Sequence, residues 1–237
     1  MLVKQEKTMA YLLSLETSST VCSVALHADQ QLLSYAELQI EKSHSSHITV
    51  MVQQVVENAG ITLAQLEAIA VSGGPGSYTG LRIGSGTAKG LCFSLDKLLI
   101  SVGTLEAMAQ QIIAVTAKAE QYLFCPMMDA RRAEVYTCLL THELGKVLPV
   151  EPVILEASSF AAELEKQPII FFGSGAVKAE QLLAPHPNAF YLKNVKPTAK
   201  EIGELAWQKL QRQQFEDVAY YEPFYLKEVY ITKPSGK

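Results

Sequence analysis

The order of apolar runs and turns in this sequence predicts an α/β fold built as two lobes. In each half, strand-like runs come first, joined by short polar turns, and helical and strand-like segments alternate afterwards. The pattern restarts near residue 104, so lobes at about 1–103 and 104–237 are expected, with the last helix able to pack back on the first lobe. The repeat is one of element order, without visible sequence self-similarity.

In the first half, strands are expected at Tyr11–Glu16, Val21–His27 and Gln31–Glu37. Thr17-Ser18-Ser19-Thr20 and Ala28-Asp29-Gln30 supply the turns of an antiparallel meander. A helix from Ser45 to Gly60 follows, with Ile48, Met51, Val52, Val55, Val56 and Ala59 at the spacing of one buried face. A helical turn after Thr62 leads into a strand at Ala68–Ser72. The glycine-rich run Gly73–Gly80 then opens a helix over about Thr79–Leu95, and Lys97–Ser101 reads as a strand.

In the second half, a helix is expected at Thr104–Lys118, capped by Thr104. Strands at Gln121–Met128 and Glu134–His142 flank the turn Asp129-Ala130-Arg131-Arg132. Then come a helix near Ser158–Glu165, a strand at Ile169–Phe172, a helix from Ser174, a strand at Phe190–Leu192 and a helix at Thr198–Gln213. The end, Tyr220–Lys237, reads as an aromatic arm followed by a polar tail.

Composition narrows the function. Hydrophobic residues make up 49% and charged residues 19% of the 237, enough for a core and without a disorder signature. The net charge of -4 and scattered lysines and arginines argue against a chain that grips RNA by itself. Cys22, Cys92, Cys125 and Cys138 sit apart in apolar runs, as reduced, buried thiols do. No run approaches the roughly 20 apolar residues of a membrane helix, and the first residues lack a signal-peptide core. A soluble, cytoplasmic protein is expected.

Glu16-Thr17-Ser18-Ser19 places a carboxylate and hydroxyls at a hairpin tip, where they either hold magnesium or phosphate or simply form a Ser/Thr turn. Gly84–Gly90 departs from the P-loop pattern, because Lys89 is followed by glycine. Gly80, Gly84, Gly86 and Gly90 each cost roughly 1 kcal/mol in a helix interior relative to alanine. Gly80, Gly84 and Ala88 form a smooth stripe that suits either the chain's own sheet or a second subunit. Opposite the apolar stripe of the helix before it lie Thr49, Val50, Gln53 and Gln54, all uncharged, which fits an ordinary exposed face or an interface. His44 and His47 lack a third ligand at helical spacing, so no metal is assigned to them. The arginines of Asp129–Arg132 suit an anion or a solvated turn, and Gly173-Ser174-Gly175 is a strand-to-helix turn that allows close approach of a ligand.

Three segments in sequence carry a resemblance: Tyr11-Leu-Leu-Ser-Leu-Glu-Thr-Ser-Ser19, Gly73-Gly-Pro-Gly-Ser-Tyr-Thr-Gly-Leu-Arg-Ile-Gly84 and Met128-Asp-Ala-Arg-Arg-Ala-Glu-Val-Tyr136. Together they resemble the TsaB family, over about Tyr11 to Leu226. The resemblance implies a two-lobed actin-like fold, the sugar kinase, Hsp70 and actin superfamily with ribonuclease H-like lobes. It sets Glu16, Thr17, Ser18 and Ser19 at the first phosphate loop and Gly173 and Gly175 near the adenosine loop, as vestiges with no cofactor expected. The paralogous enzyme TsaD carries His-x-x-x-His where this chain has Thr104 and Met108. No catalytic residue and no metal are therefore implied, and the older glycoprotein-peptidase label fits poorly.

The resemblance further implies a partner subunit for threonylcarbamoylation of adenosine 37 in tRNA. It would bind a TsaD-like catalytic subunit together with a TsaE-like ATPase, meeting tRNA only through the complex. The first two helices would form the seam, with contacts expected at Val50, Met51, Gln54, Gly80, Arg82, Ile83, Gly84 and Thr87. Without its partner, such a chain can pair the same helices as a homodimer. Two other functions fit the fold: a nucleotide-dependent phosphotransferase using Glu16 and Gly173–Gly175, and a glycoprotease-like metallopeptidase.

Overall fold

A computed structural model describes residues 9–40 and 44–227. Its two five-stranded sheets repeat one topology. In the first, β1 (Tyr11–Glu16), β2 (Cys22–Ala28), β3 (Gln31–Leu38), β4 (Leu66–Ser72) and β5 (Leu98–Val102) lie in the order β3-β2-β1-β4-β5. The first three strands are antiparallel, and β4 and β5 run parallel to β1. In the second, β6 (Leu123–Asp129), β7 (Glu134–Leu140), β8 (Lys146–Ile154), β9 (Ile169–Phe172) and β10 (Ala189–Leu192) take the order β8-β7-β6-β9-β10, the same pattern. The expected two-lobed α/β fold is thus visible in strand order as well as element order.

The helices are α1 (His44–Asn58), α2 (Tyr78–Leu95), α3 (Thr104–Ile113), α4 (Ala161–Leu164), α5 (Ala176–Leu182) and α6 (Ala199–Gln211). Alternation along β1 divides the first lobe's core. Leu13 and Leu15 face α1 and α2, while Leu12 faces α6 among Ala70, Ile202 and Ala206. In the second lobe, Phe171 belongs to the layer under α4 and α5, and Phe124 and Phe172 to the layer under α3. The third helices are exchanged. The α3 helix follows β5 but packs on β6, whereas α6 follows β10 and packs back on β1, β2 and β4. The two also touch each other, which joins the lobes through packed helices.

Four elements differ from expectation. The strand β8 carries Pro149 and Pro152 and does not read as a strand; at the sheet edge, missing N–H groups are tolerated. The α3 helix is capped by Gly103 rather than Thr104 and stops at Ile113. The β-branched Val115 and Thr116 follow it, and the Thr116 hydroxyl donates to the Ile112 carbonyl at 2.6 Å. The α4 helix is a single turn, and α5 begins at Ala176 rather than Ser174. The tail from Glu228 onward lies outside the described residues.

The α2 helix ends on Asp96, which adopts a left-handed conformation with φ 53°. Glycine takes this conformation without the Cβ clash. Asp96→Gly is expected to raise stability by up to about 1 kcal/mol, measured as a shift in the urea midpoint at unchanged slope.

Candidate functional site

The β1–β2 hairpin is a meeting point of the first lobe. Glu16, Thr17 and Ser18 are fully buried. The Ser18 N–H donates to the Glu16 carboxylate, closing a tight turn. The Thr17 hydroxyl donates to the Gly80 carbonyl at 2.8 Å, and the Ser77 N–H donates to the Ser18 carbonyl at 2.7 Å. His44, buried at the start of α1, holds the Ser19 carbonyl through Nε2 at 2.9 Å.

This packing explains the glycine stripe. A Cβ at Gly80 would enter the Thr17 carbonyl oxygen, and one at Gly84 would meet the Thr17 hydroxyl and the Val71 methyl at 3.3 Å. Gly76 also packs on Ser18, where a Cβ would sit 2.6 Å from the carbonyl oxygen. The stripe therefore seats the chain's own hairpin.

Between the lobes lies a cleft of about 1380 Å³. Ser18 and Ser19 line it from the first lobe, with Ser77 at the N-cap of α2. Asp129, Arg131, Arg132 and Ser174 line it from the second. The Asp129 carboxylate accepts from the Arg131 N–H at 2.6 Å and pairs with Lys178 at 2.7 Å. Ser174 accepts the Asp129 N–H at 3.0 Å, joining two turns that are far apart in sequence.

The other expected loop residues lie behind the cleft wall. Glu16 and Thr17 are buried, and Gly173 and Gly175 press against β6. Gly173 has φ 100°, and a Cβ at Gly175 would meet Met127 Cβ at 2.9 Å, so both glycines serve packing.

The C-terminal segment was the part of the site least visible beforehand. Phe224 donates its N–H to the Gly73 carbonyl at 2.7 Å, and Tyr225 rests 4.9 Å from Tyr78 between ring centres. Lys227 then reaches the second lobe in an ion pair with Glu134. The run of aromatics at Tyr220, Tyr221, Phe224 and Tyr225 was the available signal, since aromatic residues rarely crowd a solvated tail.

Burial pushes the Cys22 thiol up to about 11 and those of Cys92 and Cys138 to about 12, so these sulfurs are poor nucleophiles at neutral pH. Thr104 and Met108 are buried side by side on α3 and offer a hydroxyl and a thioether. That pair does not suit an iron or zinc ion held by imidazoles. Among the described residues, no three of His, Cys, Asp and Glu converge as metal ligands.

The outer face of α1 and α2 looks different. Val50 is 50% exposed and Phe93 86% exposed. Thr49, Gln53, Gln54 and Arg82 are exposed, and Ile83 and Thr87 half-buried. Three residues expected on this surface face inward instead: Met51 is only 3% exposed, and Gly80 and Gly84 are buried. Met51 lies on the apolar stripe of α1, and the two glycines lie on Thr17. Gly86 and Gly90 crest this surface, with open space where a Cβ would project.

Two copies of one α/β topology, with exchanged helices and a cleft between them, define the actin-like class. The sequence model of the family described as TsaD: tRNA N6-adenosine threonylcarbamoyltransferase matches residues 37–234. The chain belongs to that family, on its TsaB side, as its relatives show. The tRNA threonylcarbamoyladenosine biosynthesis protein TsaB of Haemophilus influenzae is 38% identical over 132 residues, 56% of this chain and 54% of that one. The match therefore spans about half the length of that relative. The TsaB protein of Bacillus subtilis is 29% identical over 175 residues, 73% of this chain and 74% of the relative. A crystal structure from Pseudomonas aeruginosa, described as an uncharacterized protein with similarity to peptidase YeaZ, superposes with a TM-score of 0.82. It is 28% identical, with 92% of this chain and 100% of that one covered.

Proposed function

We propose that this chain acts in tRNA threonylcarbamoyladenosine biosynthesis as a non-catalytic subunit, binding a TsaD-like enzyme through the outer face of α1 and α2. The observation that carries this reading is the crest of α2. Gly86 and Gly90 weaken the helix although a Cβ at either would project into open space, and Phe93 beside them is 86% exposed. A surface that gives up helix stability for smoothness suits the close approach of another helix. A paralogue of the same fold brings a matching helix pair about a pseudo-twofold axis.

Thr104 and Met108 in place of two histidines favour an accessory role over catalysis. The net charge of -4 favours tRNA being held by other members of the complex, which would include a TsaE-like ATPase. In the absence of its partner, the same face would pair two copies of this chain.

The test is co-purification with the TsaD-type protein of the same organism. The wild-type chain is expected to form the complex and Gly90→Arg to lose it. Stability of the free variant should stay level or rise by up to about 1 kcal/mol, since the substitution relieves a helix-interior glycine in open space. A wild-type chain that does not co-purify overturns the partner reading. Formation of threonylcarbamoyladenosine on tRNA by the purified chain alone overturns the non-catalytic one.

A further inference from the structure

The β1–β2 hairpin ties a buried carboxyl to both helices of the outer face. Glu16 is fully buried; one carboxylate oxygen accepts the Ser18 N–H and the other has no partner. The Ser18 and Ser72 hydroxyls lie beside it, buried and with no other partner, placed to donate to it. The titratable groups acting on it are Glu201 of α6 and the Cys22 thiol of β2, an acid and a weak acid that cannot neutralise a carboxylate. The neighbouring strand β4 contributes the neutral Ser72, and α2 presents Gly80 and Gly84 to the hairpin, with Ser77 at its cap.

An ionised carboxylate in this setting has the Ser18 N–H and the two hydroxyls as donors and loses its water. The water-filled cleft is lined by Ser18 and Ser19, two and three residues after Glu16. Movement in that direction cannot stay local. The hairpin is tethered to α2 through Thr17–Gly80 and Ser77–Ser18, and to α1 through His44–Ser19.

We propose that Glu16 is a proton-linked positioning residue: when it loses its proton, the 16–19 hairpin shifts toward the cleft, the N-terminal ends of α1 and α2 shift with it, and binding through their outer face weakens. The effect on binding rests on the partner reading above; the coupling of carboxyl to helices does not. Burial holds the carboxyl up at about 7, so the change falls near neutral pH.

The test uses the free chain first. Carbon-13 NMR follows the Glu16 carboxyl while nitrogen-15 spectra follow the Ser77, Gly80 and Gly84 amides across about pH 5 to 9, a window centred on the carboxyl. All four are expected to share one midpoint near 7, and the amides of Glu16→Gln should show no such step. A carboxyl titrating in the ordinary range, or amides that stay still as it titrates, overturns the coupling. If Glu16→Gln does not fold, the wild-type midpoints decide alone.

Affinity for the TsaD-type protein is then compared between wild type and Glu16→Gln over the same range. Wild type should weaken relative to the variant by up to about tenfold per pH unit above the midpoint. Equal pH dependence in both overturns the regulatory role. Binding by neither form at any pH sinks the partner reading, while the NMR midpoints still decide the coupling.

Discussion

Gly80→Ala should destabilise the protein by about 3 kcal/mol, the upper end of what overpacking usually costs, although it adds only one methyl group in the first turn of α2. The added carbon would enter the Thr17 carbonyl oxygen, which is backbone and cannot rotate away. Relief requires moving the hairpin, and the hairpin also carries the bonds to Ser77 and His44. Gly86→Ala, six residues further along the same helix, has open space around its new carbon and should stabilise by up to about 1 kcal/mol. Urea denaturation of the two variants gives opposite shifts if this account is right, and equal shifts would refute it. Gly84→Arg, at a position the resemblance sets in the partner seam, would drive a long side chain into Thr17 and Val71. Loss of binding in that variant would report damage to the fold, whereas Gly90→Arg separates binding from folding.

The contrast among these glycines shows where the sequence could be read and where it could not. Four glycines inside one helix announced that something comes close, but spacing alone does not say from which side. Gly80 and Gly84 turn toward the hairpin, and Gly86 and Gly90 turn outward. Strands β1 to β5 and helices α1 and α2 were legible because their apolar periods are long and clean. The strand β8 was hidden by prolines that only an edge position permits. The exchange of α3 and α6 between lobes leaves no trace in local pattern, because a helix's apolar stripe does not name the sheet it covers. In the cleft, the turns at 17–20 and 129–132 were each visible as polar segments. Their meeting depends on the lobes' relative placement, which no local signal carries. The crossing of the cleft by Phe224 to Lys227 escaped for a similar reason: it is anchored by a backbone bond to Gly73, and a backbone bond has no residue signature.

Glu16→Gln should leave stability little changed in acid and raise it above neutrality by up to about 3 kcal/mol, the free energy that separates a carboxyl held at about 7 from one at its ordinary 4.5. The folded chain keeps the Glu16 proton between those two values while the unfolded chain releases it. The stabilisation this gives wild type is therefore complete below about 4.5 and is lost as pH rises to about 7. His27 works in the opposite direction. It is buried beneath α6, where a Cβ at Gly203 would strike its ring, and burial lowers it to about 4 from 6.5. Its contribution is complete above 6.5 and is lost as pH falls toward 4. Between about 4.5 and 6.5 the slopes of Glu16 and His27 oppose each other, so Glu16→Gln should gain stability with pH more steeply there than wild type. Glu201 and the other carboxyls titrate in both proteins, so the measurement that isolates Glu16 is the difference in unfolding free energy between wild type and variant as a function of pH. A difference that grows steadily from about 4.5 to 7 and then stays constant assigns the proton to Glu16; a difference independent of pH would mean that the carboxyl reaches water after all.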